Sequence, residues 1–147
     1  MRKILAIAVP FAIVMAQSAI AAPMKPGLWE VVAVVEKPAV LQKINTTSRY
    51  CYSADDIKNP QKLVPFQHEV GMKCEVKEFK LVGETASWKE SCADKAASLS
   101  GTGSMTMKVD TYTYTAALEQ KSLDPKAADK PYKVTEKLSG KHIGDCK

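Results

Sequence analysis

The chain has 147 residues, with 21 basic and 16 acidic side chains and a net charge of +5. The mild positive balance is spread along the sequence with no Lys/Arg cluster, which argues against a nucleic-acid footprint. No segment after the N-terminal one is apolar enough to span a membrane, which takes about 20 such residues.

The first stretch, "MRKILAIAVPFAIVMAQSAIAA", reads as a cleavable secretory signal peptide. Arg2 and Lys3 form a basic start, Ile4 to Met15 is apolar apart from Pro10, and Ala19-Ile20-Ala21 gives a small-x-small cleavage pattern. Residues 1–21 are therefore assigned to the leader and 22–147 to one exported domain. Removing Arg2 and Lys3 lowers the net charge from +5 to +3. No Cys follows the apolar run, so no lipoprotein anchor is expected.

The remaining chain alternates with period two, the signal of half-buried strands. "GLWEVVAVVE" places Trp29, Val31, Ala33 and Val35 on one face and Leu28, Val32 and Val34 on the other. This strand is apolar on both faces, so a cover over its back is expected. "INTTSRYCYS" puts Tyr50 and Tyr52 on one side and Cys51 on the other. Ser53, with Asp56 three residues on, opens a capping-box-like start, and Pro60 stops it, so one short helix is expected near 53–59. "KCEVKEFKLV" and "ETASWKESC" flank a hairpin turn at Gly83-Glu84. "GSMTMKV" aligns Met105, Met107 and Val109; "TYTYTAALE" aligns Tyr112, Tyr114 and Ala116; "PYKVTEKLSG" aligns Tyr132, Val134 and Leu138. "SLDPKAADKP" is a polar loop. These strands, about seven in number, predict an all-β antiparallel meander that curls into a strongly curved sheet or a barrel to hide its edges.

All four cysteines, Cys51, Cys74, Cys92 and Cys146, lie in the exported part and predict two disulfides. No C-x-x-C spacing points to zinc or redox work. A turn at Gly83-Glu84 sets Cys74 opposite Cys92, which leaves Cys51 for Cys146. The terminal "SGKHIGDCK" is then a staple. The competing reading, a Cys146 nucleophile with His142 as base, needs a free thiolate that an even cysteine count disfavours.

The opening "PMKPGLWEV", the "KC.V..F" and "SWK.SC" hairpin and the closing "SGK.IGDC" together resemble the domain of unknown function 3617 family. The resemblance spans nearly all of the mature chain. It implies a small exported protein of a Gram-negative bacterium, residing in the periplasm, with no catalytic residues to carry over. The chain departs from the family pattern at "MKVDTY", where members often carry a Gly-Asp turn.

Met105, Met107, Met72, His68 and His142 would suit a soft copper site, but strand spacing on an apolar face favours core packing for the methionines. Asn45-Thr46-Thr47 fits a glycosylation sequon, to which no role is given in a bacterial-type exported chain. Glu90 shares a face with Trp88 and Cys92, and Glu136 with Tyr132, Val134 and Leu138. If those faces are internal, two carboxylates point inward and need partners, solvent or a ligand. The sequence therefore predicts a noncatalytic periplasmic protein without cofactor or metal. Its small-molecule or lipid ligand would meet Trp29, Trp88, Glu90, Tyr112, Tyr114, Tyr132 and Glu136 inside a curved sheet. A second expectation is an envelope interaction protein that uses an outer face or an edge strand. A hydrolase using Glu90 and Glu136 is the enzymatic alternative; it requires the carboxyls to lie about 5–10 Å apart.

Overall fold

The computed structural model describes residues 22–65, 71–124 and 130–147. The expected leader, His68 and the middle of the polar loop after Leu123 lie outside them.

Seven strands form one antiparallel sheet: β1 (Gly27–Lys37), β2 (Gln42–Tyr52), β3 (Lys73–Val82), β4 (Thr85–Ala93), β5 (Ala97–Met107), β6 (Thr111–Ser122) and β7 (Tyr132–Gly144). Their spatial order is β2-β1-β7-β6-β5-β4-β3. Each strand lies beside its sequence neighbour except β2 and β3, and β1 meets β7. The ring is therefore complete but for one gap, and the sheet is curved and not closed.

The chain crosses that gap between β2, which ends opposite Gly27, and β3, whose first residue pairs with Ala93. Both edge strands run from the same end of the barrel, so the crossover has to travel back along its length. It begins with the expected helix, α1 (Ala54–Lys58). Ser53 caps it through a reciprocal capping box with Asp56. Pro60 cannot continue an α-helix but suits the first turn of a new one, and a 3-10 turn, Pro60–Leu63, follows. Ile57, Leu63 and Val64 point into the core together with Ala22 and Met24. The N-terminal segment is tied down there, since the Ala22 N–H donates to the Ile57 carbonyl.

The predicted faces hold. Trp29, Val31 and Ala33 are buried on the inner side of β1, as are Tyr112, Tyr114 and Ala116 on β6. Met105 and Met107 are core residues on β5. Val109 is not: it sits with Asp110 in the β5–β6 turn, which Lys108 and Thr111 close, and is exposed. Nor does any described element cover the back of β1. Val32 stays partly exposed there, flanked by Thr47 and Ser139 on the neighbouring strands, which confines the apolar stripe to one strand.

β3 carries a bulge between Lys77 and Lys80, with Glu78 at φ 52°. The extra residue shifts the phase of the strand, so Phe79 turns inward and stacks on Trp88. It also twists an edge strand that would otherwise offer a flat row of unpaired backbone groups.

Both predicted disulfides are present, Cys74–Cys92 and Cys51–Cys146, and none of the four cysteines is free. Cys74 and Cys92 are direct partners in the β3–β4 register. Cys51 and Gly144 both stand opposite Leu28, so the second bridge crosses the start of β1 and ties β2 to the tail beyond β7. Gly144, at φ +147°, turns the chain toward that bridge. Two disulfides fit an oxidising, exported environment. Among the described residues no helix is long and apolar enough to cross a membrane.

Candidate functional site: a cavity beside a buried carboxyl pair

β5 creates the room for the interior polar cluster. Its inner face carries Gly101 and Gly103 beside Glu90 and Trp88 on β4. A Cβ on Gly103 would come within 2.5 Å of the Trp88 ring, so no side chain fits there. With nothing projecting from β5 at these two positions, side chains of β4 reach across it to Tyr114 on β6. Ala116, which stands beside both Gly103 and Glu136, keeps the next position small.

Glu90 and Glu136 both turn inward, as expected, and are only 3% and 2% exposed. The Trp88 indole Nε1–H donates to Glu90 Oε2 at 3.0 Å. The Tyr114 hydroxyl lies 3.3 Å from Glu90 Oε1 and 3.3 Å from Glu136 Oε2. It carries one proton, so it donates to one carboxyl at a time. The hydroxyl thus stands between the two carboxyl groups, and the facing oxygens are no farther apart than twice that separation. The Tyr114 ring also stacks on Trp88 at 5.8 Å.

Burial and the two flanking carboxyls push the Tyr114 hydroxyl well above the ordinary phenol range. Burial does the same for Tyr112, whose hydroxyl meets that of Tyr52 at 3.4 Å. Both phenols are held neutral in the folded protein. A raised folded-state pKa contributes stability that is fully present below the unfolded value and is lost above it. Stability should therefore be flat through neutral pH. It should fall above about pH 10, by about 1.4 kcal/mol per pH unit for each of these two tyrosines. Urea midpoints between pH 8 and 11, compared with those of a Tyr112→Phe variant, check this. Tyr112→Phe should show a shallower alkaline loss, and an unchanged slope would contradict the assignment.

Glu136 also faces a cavity of about 170 Å³ at the end of the barrel where β1 finishes and β2, β3 and β5 begin. Ala33, Val35, Ile44, Met72, Leu99 and Val134 form apolar walls. Lys37, Thr46, Gln120 and Glu136 supply the polar groups. The inner face of β2 has no strand opposite it at this end, and Ile44 and Thr46 are exposed, so the cavity opens to solvent beneath the β1–β2 hairpin tip. Wider depressions lie over β3–β7, lined largely by outward residues such as Lys89, Thr102 and Thr115, and are surface relief.

The structure divides the expected ligand set. Glu136 lines the cavity. Trp29, Trp88, Tyr112 and Tyr114 fill the packed core: Trp29 lies 5.6 Å from Tyr112, and its Nε1–H donates to the Lys25 carbonyl at 3.1 Å. Glu90 sits behind Tyr114, and Tyr132 is half-buried at the start of β7. The cavity walls that the sequence did not mark are aliphatic residues with no chemical signature. Their only signal is position, at the unclosed end of inward-facing strand sides.

His142 packs edge-on against Trp29 at 5.6 Å, and Cys146 is in a disulfide, so no thiol is available to it. Met72 lies at the cavity end, whereas Met107 and His142 lie at the opposite end, roughly nine residues of strand or 30 Å away. Among the described residues no group of three or more His, Cys, Asp or Glu side chains could hold a metal ion.

No curated protein and no solved structure matches the chain. A family model described as "Protein of unknown function (DUF3617)" matches residues 24–146, nearly the whole of the chain that follows the expected leader, and the protein belongs to that family.

Proposed function

We propose that this is a noncatalytic periplasmic protein that binds the apolar end of a small amphiphile in the cavity under the β1–β2 tip. The observation that carries the reading is the cavity itself: about 170 Å³, with aliphatic walls, a half-exposed polar rim of Lys37 and Gln120, and the buried Glu136 inside. A cavity of about 150 Å³ holds a benzene-sized group, while whole drug-sized ligands need roughly 300 Å³ or more. An alkyl end fits inside, and the remainder of the molecule stays at the open mouth. The polar end of such a ligand meets the rim, where a hydroxyl or charged group finds partners.

The carboxyl pair supports a binding role over hydrolysis. Glu90 and Glu136 share the inner face, but both contact the Tyr114 hydroxyl, which fills the place between them where a scissile bond would sit. An exported, oxidising location is supported by the two disulfides.

Native mass spectrometry of protein purified from its own envelope tests this reading. A reproducible small-mass adduct is expected, and it should be absent from Val35→Trp, whose larger side chain fills the cavity. A clean apo mass, together with failure of the folded protein to bind a fluorescent alkyl probe, would overturn the cavity reading. The second reading, an envelope interaction protein, draws on β2, which stands at a sheet edge with most of its residues exposed. A protein adduct in the same spectra, with no small ligand, is the result that favours it.

A further inference from the structure

The tip of the β1–β2 hairpin is built in an unusual way. A 3-10 turn, Pro38–Val40, is followed by Leu41 in the left-handed region at φ 52°. That conformation suits Gly or Asn and costs a leucine about 1 kcal/mol or more. Leu41 nevertheless occupies it and is 95% exposed, with Val40 beside it 54% exposed. Neither side chain contributes to the core. Ile44 and Leu123, also exposed, lie at the same end of the barrel, where the cavity opens.

The charge around this end is positive. Lys73, Lys95, Lys121, Lys130 and Lys133 are all exposed here. Against them stand Asp94, Glu119, Asp124, Glu36 and Glu75; Glu36 pairs with Lys43 at 2.9 Å and Glu75 with Lys77 at 3.0 Å. A projecting apolar tip above a basic rim has the composition of a surface that rests on anionic lipid. The apolar side chains are few and form no groove. A fluid interface asks for no shape complementarity, whereas a stable protein interface buries about 800 Å² on each partner.

We infer that residues Pro38–Leu41 dock the protein on an anionic lipid bilayer, with Val40 and Leu41 entering the interface and the lysines facing the head groups. Docking there sets the cavity mouth against the membrane surface, the source of an amphiphile. The inference thus rests on the cavity reading for its purpose, though not for its physics. Two apolar side chains with a basic rim give weak, reversible binding, which a carrier needs if it is to leave again.

Co-sedimentation of the mature protein with phosphatidylglycerol/phosphatidylcholine vesicles, and with phosphatidylcholine alone, tests the docking. The wild type should bind the mixed vesicles, more weakly at high salt, and bind the neutral ones poorly. Leu41→Asp, which tolerates the left-handed backbone, should weaken binding roughly tenfold or more. Val82→Asp is the control, because Val82 is 77% exposed at the opposite end of the barrel; it should bind as the wild type does. Absence of wild-type binding to the mixed vesicles, or equal losses in the two variants, would overturn the proposal. Val35→Trp separates the two readings. Docking retained by this variant supports the tip as the docking element, even where the wild type carries no small-mass adduct and the cavity reading alone fails. A wild-type adduct without vesicle binding removes the docking alone.

Discussion

Removing the Cys51–Cys146 bridge by a double alanine substitution is expected to destabilise the protein by about 4–5 kcal/mol, against about 3 kcal/mol for the Cys74–Cys92 pair. The difference follows from loop length: the first bridge spans 95 residues and the second 18. Closing the longer loop removes more conformations from the unfolded chain. Structure adds to the contrast. Cys74 and Cys92 already face each other in a hairpin held by its own ladder, whereas β2 pairs only with β1, and the longer bridge fixes it from the far side. Urea denaturation of both double variants, monitored by Trp fluorescence, measures the two losses. Equal losses, or a larger one for Cys74–Cys92, would mean that loop closure is not what the terminal staple contributes.

The second large effect belongs to Tyr114. Tyr114→Phe keeps the ring on Trp88 and removes only the hydroxyl, yet it should cost about 3 kcal/mol or more, since two buried carboxyl groups lose a shared donor. An ordinary exposed Tyr→Phe change costs a few tenths of a kcal/mol. The coupling is testable in a double-mutant cycle. Glu136→Gln should recover part of the Tyr114→Phe loss, because it removes one of the two carboxyl groups that share the Tyr114 hydroxyl. Strictly additive losses in the cycle would show that Tyr114 and Glu136 act independently, contrary to the 3.3 Å contact.

Much of this architecture is legible because the sheet buries one face. Period-two alternation assigns every side chain of β1, β4, β6 and β7 to a side, and a single clear turn at Gly83-Glu84 is enough to pair Cys74 with Cys92. The inward Glu90 and Glu136 follow from the same alternation. Legibility fails where the period slips. In "KCEVKEFKLV" strict alternation would turn Glu78 inward with Cys74 and Val76, and the bulge instead brings in Phe79 and Leu81. The slip is visible in the spacing of the apolar residues, two apart, then three, then two. The β5 strand begins at Ala97, well before the methionines that mark it, because "ASLSGTG" carries the inward glycines Gly101 and Gly103 and little β signal. Those same residues make room for the polar cluster. The cavity was the least legible feature, since it depends on which strand side lacks a partner, and that is decided by the gap between β2 and β3. The aromatic residues that drew attention in the sequence are large enough to fill the core and do so.

Methyl NMR of residues 22–147 titrated with decanoate tests the central claim most directly. The account predicts saturable shifts at Val35, Ile44, Leu99 and Val134, which line the cavity, with Val82 and Val109 at the opposite end unchanged. Shifts spread over both ends, or none at the four cavity residues while the protein stays folded, would contradict it.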